Sequence, residues 1–277
     1  MEPDPLDPAP HTLRTYEPLA WTFHRGTARW LFNAAGGVSP HQLPGREHPG
    51  SPWTPLPSGI QDEASLSSAI AGRLSCRAFA PDAISLETLA SVLRAAYGIE
   101  GRSGGDQFAL LDRPAPSAGG MYPLEVSLLV RAVDGLAPGV YHYVPAADGL
   151  ECLRDGELPP TFVTYLFMGQ HWVAAAAAVV VLSVVPARSL TKYGDRGYRY
   201  LLLEAGHVMQ NVNLMGTALG LGSVNLGGFY DDELAGLLRI DPEVEFPVYA
   251  AAIGLPSEQT RGDRMRQRAL GSALHPS

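Results

Sequence analysis

Two periods of apolar and polar residues run through this chain, and each switch between them marks an element. In DEASLSSAIAGRL, Leu66, Ile70 and Leu74 recur at helical spacing and predict a short amphipathic helix. In SLETLASVLRAAYGI, Leu89, Val92, Leu93 and Ala96 form a second apolar stripe, with Ser85 as its N-cap and Gly98 at its end. The helical period persists longest from about Asp195 to Leu219, where Leu201, Ala205, Val208, Val212, Met215 and Leu219 make one continuous stripe. Leu202, Leu203, Met209 and Leu214 widen that stripe almost all round, and such a helix belongs in the middle of a core or at a subunit interface. TFVTYLFMGQHW reads as a further helical stretch.

Shorter apolar runs bounded by turn residues predict strands. They are LEVSLLVRAV, a hairpin GVYHYVPAADGLECL about an Asp-Gly turn, Ala177–Val185, SVNLGGF and VYAAAIG. The longest apolar run, Val173–Val185, is too short to cross a membrane. Helices and strands are mixed without regular βαβ alternation, which predicts an α+β fold with a mostly antiparallel sheet. Residues 1–60, rich in Pro, Gly and His, read as an irregular arm that wraps something or is partly disordered. Residues 61–277 read as the folded domain, with GRSGGDQ as a mobile loop inside it.

Composition narrows the function classes. Of 277 residues, 46% are hydrophobic and 17% charged, enough to bury a sizeable core. The net charge of −8 argues against a nucleic-acid partner held by bulk electrostatics. Cys76 and Cys152 are too far apart in sequence to form a metal or redox motif, and with no signal peptide visible a reducing cytoplasm is the expected setting.

Several short clusters could carry chemistry, and each has a plain structural alternative. Arg73, Ser75 and Arg77 in RLSCR offer two guanidiniums and a hydroxyl to a phosphate or a flavin edge, or are a solvated helix end. PAPSAGGMYP supplies the Ser117 hydroxyl and, at Gly119 and Gly120, backbone that can approach a ligand, or is an ordinary tight turn. GLGSVNLGGF is not a dinucleotide fingerprint, because its glycines end a helix and enter a strand, although Gly227 and Gly228 could still turn backbone amides toward a ring. Glu204 and His207 have the spacing of half a di-iron motif, but the second half is missing; His142 and His171 stand singly. Lys192 and Tyr193 open the run KYGDRGYRYLLLEAGH as a surface pair or as acid/base groups at the mouth of a buried helix.

The order of these clusters resembles the nitroreductase-fold flavoproteins and, within them, the SagB-type dehydrogenases of thiazole/oxazole-modified peptide pathways. The likeness lies in RLSCRAF, RPAPSAGGMYPLEV, PGVYHY, KYGDRGYRYLLLEAGHVMQNVNLMGTALGLGSVNLGGFYDDEL and VYAAAIGLP, roughly residues 66–256. The resemblance implies an intertwined homodimer with FMN at the subunit interface. Carried over by position, Arg73, Ser75 and Arg77 would hold the FMN phosphate side and ring edge. Pro116, Ser117, Ala118, Gly119 and Gly120 would be the loop that the other subunit lays on the flavin. Leu226, Gly227 and Gly228 would present backbone to the ring system, Glu204 would reach the flavin from its helix, and Arg261, or else Arg264, would complete the phosphate site. Lys192 and Tyr193 match the catalytic Lys-Tyr pair of azoline oxidases.

That chemistry needs these groups. An azoline ring becomes an azole by losing two hydrogens, one as hydride to the flavin and one as a proton to a base, with oxygen then reoxidising the flavin. Neither Lys nor Tyr is a base at neutral pH with its reference pKa, so the expectation is a partly buried cleft in which desolvation and the neighbouring ammonium create one competent base between the two. The substrate is expected to be a peptide or carrier-tethered heterocycle. Recognition is expected in a cyclodehydratase partner or in the arm, which shows no clear winged-helix pattern. Two other readings stand beside this one: a nitro/quinone reductase that uses NAD(P)H, and a flavin-binding or flavin-free scaffold subunit of a biosynthetic complex.

Overall fold

The computed structural model describes residues 18–28, 45–60, 64–103, 110–258 and 260. In chain order the elements are α1 (Pro18–Ala28), β1 (Trp53–Pro55), α2 (Leu66–Gly72), β2 (Ile84–Ser85), α3 (Leu86–Tyr97), β3 (Gly101–Ser103) and β4 (Leu110–Asp112). Next come β5 (Leu124–Val130), β6 (Val133–Asp134), β7 (Gly139–Val144), β8 (Gly149–Asp155), α4 (Pro160–Leu166) and β9 (Ala178–Val184). The chain continues through α5 (Ala187–Tyr193), α6 (Arg196–Ala218), β10 (Gly222–Leu226), α7 (Asp231–Leu237) and β11 (Phe246–Gly254).

Seven strands form one sheet in the order β1-β8-β7-β5-β9-β11-β10, and every neighbouring pair is antiparallel. The central strands β5 and β9 are buried at every position, because both sheet faces are covered. On the inner face, Leu124, Val126, Leu128, Val180 and Leu182 pack with Leu89, Leu93 and Tyr97 of α3 and with Leu201, Ala205, Val208 and Val212 of α6. On the outer face, Leu129, Val140, Val179 and Val181 pack with Val163 and Leu166 of α4 and with Leu234 and Ala235 of α7. The α+β class, the antiparallel sheet and the flanking helices are as the sequence predicts.

Local chemistry fixes the helix ends. The Ser85 hydroxyl accepts from the Thr88 N–H at 3.1 Å, and the Gly98 N–H closes α3 on the Arg94 carbonyl. Helix α2 departs from its expected orientation: Ala69 and Gly72 face inward, while Leu66 and Ile70 are 67% and 58% exposed, and Leu74 lies beyond the helix end. The small residues set a close approach, so the large side chains of the same helix point away. Leu202 and Leu203 of α6 are likewise exposed, at 43% and 60%.

The sequence reading also gave no sign of α1. Two arginines of the KYGDRGYRY run hold it: Arg196 donates to the Thr27 carbonyl at 2.9 Å, and Arg199 donates to Thr27 Oγ1 and the His24 carbonyl, both at 2.5 Å. Phe23 meets Tyr198 edge-on, with ring centroids 5.4 Å apart. Of the GRSGGDQ loop, Gly101–Ser103 pairs with Leu110–Asp112, and the remainder lies outside the described residues. No helix among the described residues is long and apolar enough to cross a membrane.

Candidate active site

The site residues suggested by the sequence fall into two groups. The first gathers around β10. Past α2 the chain runs beside that strand: Ser75 bridges Ser223, and the Cys76 N–H donates to the Ser223 carbonyl at 2.9 Å. This approach requires Gly222, since a Cβ there would stand 2.5 Å from Cys76 Sγ. Cys76 is therefore buried, while its neighbours Ser75 and Arg77 face outward and Arg73 is half-buried. The strand ends in buried Leu226 and turns through exposed Gly227 and half-buried Gly228. A Cβ at Gly227 would meet nothing within 4 Å, so this turn opens onto space. Gln170 Nε2 reaches the Gly228 carbonyl at 3.5 Å, and two residues further on Trp172 lies under the Arg77 guanidinium, 5.8 Å from the ring centroid. RLSCR and NLGG thus share one edge of the molecule.

The second group gathers where α5 ends and α6 begins. Ala118–Gly120 form a single 3-10 turn in which Gly119 and Gly120 have φ of 65° and 67°, the left-handed region that favours glycine. Lys192 and Tyr193 close α5 directly against this turn. A Cβ at Gly119 would stand 2.5 Å from Lys192 Nζ and closer still to the Tyr193 hydroxyl, so both polar atoms converge on one point of the loop backbone. Lys192 Nζ lies 5.3 Å from the Tyr193 ring centroid, and Tyr193 meets Tyr200 edge-on at 5.1 Å. The PAPSAGGMYP loop and the Lys-Tyr pair, more than sixty residues apart in sequence (119 against 192), form one local structure within a single chain.

Glu204 lies behind the same loop, 3% exposed. The Ser117 hydroxyl donates to it, and the Tyr97 hydroxyl donates to Glu204 Oε1 at 3.1 Å. Ser117 also accepts the Tyr122 N–H at 2.9 Å, and the Tyr97 hydroxyl accepts the Leu124 N–H at 3.1 Å. Burial drives the Glu204 carboxyl up to about 7, against the smaller opposing effects of these two hydroxyls and of Arg113. Arg113 lies over the Tyr97 ring at 4.3 Å and donates to the Tyr97 carbonyl at 2.6 Å. The carboxyl is therefore balanced between its two protonation states near neutral pH. It stands behind the loop, which makes it a support for Ser117. His207, three residues on, is exposed on the helix surface.

Tyr97, Arg113 and Tyr122 escaped the sequence reading. Tyr97 ends an apolar helical stripe and looks like core, which by burial it is. Nothing local signals that its hydroxyl is spent on Glu204. Pro116 is exposed and Ala118 half-buried at the loop surface. Arg261 and Arg264 lie outside the described residues.

Comparison with known proteins agrees with this architecture. A family model described as the nitroreductase family matches residues 70–255. A protein of Methanocaldococcus jannaschii that carries a nitroreductase name is 36% identical over 193 residues, covering 70% of this chain and 92% of that one. The microcin B17-processing protein McbC of Escherichia coli is 28% identical over 146 residues, 51% of this chain and 54% of that one, so the match spans about half the length of that relative. Among solved structures, one named as a nitroreductase of Anabaena variabilis superposes with a TM-score of 0.65 at 29% identity, over 76% of this chain and 42% of that one. A chain of the E. coli microcin synthetase McbBCD complex with truncated pro-MccB17 bound superposes with a TM-score of 0.58 at 22% identity, over 87% and 93%, a likeness of fold. The chain belongs to the nitroreductase family, a family of oxidoreductases.

Proposed function

We propose that this protein is an FMN-dependent dehydrogenase that oxidises azoline rings of a peptide or carrier-tethered substrate to azoles. The observation that carries the reading is the convergence of Lys192 Nζ and the Tyr193 hydroxyl on the backbone of Gly119. A basic and a phenolic group, both half-buried and meeting at one point beside an exposed glycine loop, would form a proton-accepting position.

The residues present fit a flavin mononucleotide. Arg73, Ser75 and Arg77 offer donors suited to a phosphate, and the open turn Leu226–Gly228 can lie against a flat ring. In this reading Arg261, or Arg264, adds a further donor. When bound, the flavin would supply the two-electron acceptor for the hydride that leaves the azoline. The chain's own residues supply the rest. The 3-10 turn of Ala118–Gly120 fixes the height of the loop, and Ser117, held by Glu204, fixes its orientation. Lys192 and Tyr193 receive the proton lost from the ring carbon, with the ammonium stabilising the phenolate or the phenol donating to the amine.

The two groups of residues are halves of a site that a second copy would complete, the loop of one chain covering the flavin edge of the other. The exposed Leu66, Ile70, Leu202 and Leu203 supply an apolar surface for such a homodimer. The likeness to McbC supports a peptide pathway with a cyclodehydratase partner. The 36% identity to a nitroreductase-named protein favours a second reading, an NAD(P)H-dependent nitro/quinone reductase.

The test is to identify the cofactor released from the purified protein, then compare turnover of a thiazoline or oxazoline peptide under oxygen with bleaching by NADPH. Azoline turnover that is lost in both Lys192→Ala and Tyr193→Phe, with FMN retained, supports the proposal. Rapid bleaching by NADPH with no azoline turnover supports the reductase. A colourless protein that takes up no FMN leaves a scaffold subunit and overturns both.

A further inference from the structure

The apolar part of the outer sheet face gives way, at the Glu125 end of β5, to a buried row of polar and charged groups that the proposed reaction does not use. Glu125 and Ser127 of β5 sit opposite Ser183 of β9 and His142 of β7, and His142 sits opposite Glu151 of β8. Arg188 of α5 donates to Glu125 Oε1 at 2.5 Å, and the Arg46 N–H donates to the same oxygen at 2.9 Å. The Arg46 guanidinium reaches Glu245 at 2.5 Å and Ser127 at 2.8 Å. Residues 45–48 thus lie across the row.

One corner is different. His48 Nε2 is buried and meets no hydrogen-bond partner among the described residues. Its ring lies edge-on to His142, with centroids 5.7 Å apart. His142 Nδ1 is 3.0 Å from Glu151 Oε2, and the other Glu151 oxygen accepts the His48 N–H at 3.0 Å. One donor atom from each of His48, His142 and Glu151 lies within 4.8 Å of the others.

The geometry points to a divalent transition-metal site built by His48, His142 and Glu151, of the kind that takes Zn²⁺ with a water as fourth ligand. Two imidazoles and one carboxylate are a donor set for a borderline cation with one open position. Its outer shell is already in place. His142 Nε2 faces Glu125 Oε2 at 3.0 Å, and Arg188 fixes that carboxylate in turn, the arrangement that sets the tautomer of a metal-bound imidazole.

Metal–nitrogen bonds of about 2.1 Å need the donors closer together, and His48, half-buried on the arm, is the ligand that swings inward. The ion would take the place of the direct contact between His142 Nδ1 and Glu151 Oε2. Arg46 opposes the ion by charge, and its terminal nitrogens are engaged by Glu245 and Ser127. The site would pin residues 45–48 to β7 and β8, on the sheet face opposite Glu204.

The experiment strips the full-length protein with a chelator and titrates it with Zn²⁺ alone against a chromophoric competitor, reading metal per chain and Tm. The expected result is one ion per chain and a raised Tm. His48→Ala should weaken binding by more than about tenfold and abolish the Tm rise, as should Glu151→Gln. His207→Ala, at an exposed histidine, should change neither. Uptake below one ion per chain, or equal binding by His48→Ala and His207→Ala, overturns the site. Because His48 is half-buried at the arm, its variant decides the question even if Glu151→Gln fails to fold.

Discussion

Glu204 and Glu125 are both buried carboxyls, 3% and 4% exposed, on opposite faces of one sheet. Burial drives Glu204 up to about 7, whereas Glu125, which burial alone would also raise, ends at about 2. The difference lies in the partners. Glu204 has two neutral hydroxyls and an arginine whose guanidinium is turned to Tyr97; Glu125 has the full charge of Arg188, the Arg46 backbone and a hydrogen bond to His142. Hydroxyls recover only part of what a carboxylate loses in leaving water, and a buried guanidinium recovers more. One cluster is therefore a closed set of opposite charges that holds structure. The other keeps a carboxyl near its point of balance beside the proposed reaction.

The largest effect should come from opening the closed cluster. Arg188→Met is expected to destabilise the fold by about 3–5 kcal/mol in chemical denaturation, since it leaves Glu125 buried against a lost charge. Adding Glu125→Gln should recover part of that loss; no recovery would mean that the two are not coupled.

Next come opposite pH dependences. The folded pKa of Glu204 lies above its unfolded value of 4.5, so its contribution is fully present below about 4.5 and is lost as pH rises through about 7. Glu204→Gln should therefore gain on the wild type with rising pH, by about 3 kcal/mol above pH 7. Glu125 has the reverse sign: its contribution is present above 4.5 and is lost as pH falls toward about 2. Glu125→Gln should flatten the acid limb of the stability curve by a similar amount, about 3 kcal/mol. Parallel curves for the two variants would break the contrast.

Gly119→Ala tests the functional side. The added methyl must displace Lys192 and Tyr193, so azoline turnover per bound flavin should fall by about 100-fold. The smallest effect on the fold is expected at the exposed apolar surface. On the proposed homodimer, Leu203→Lys should shift the protein to a monomer in light scattering while changing the stability of the isolated chain by less than about 0.5 kcal/mol.

Helix α3 was legible nearly to the residue, because Ser85, Gly98 and the stripe between them are local signals. Helix α6 was legible for the same reason, its period being sustained over Arg196–Ala218. Helix α2 was found but turned the wrong way, since periodicity shows which residues share a face and not what that face meets. Helix α1 escaped because it rests on Arg196 and Arg199, far along the chain. The Lys-Tyr pair could be singled out in sequence, and so could the glycine loop, but their contact could not.

The sequence by itself determined the longer helices and the main strands, the α+β class and a set of candidate residues, since capping, periodicity and turn chemistry act over a few neighbouring positions. Only the tertiary structure decided which isolated residues became clusters. His142 looked solitary until β5 and β8 brought Glu125 and Glu151 to its two nitrogens, and Glu204 looked like half a metal motif until Tyr97 and Ser117 closed over it. The reason is physical: burial and the charge of neighbours set what an ionisable group does, and both depend on chain segments that no local pattern connects.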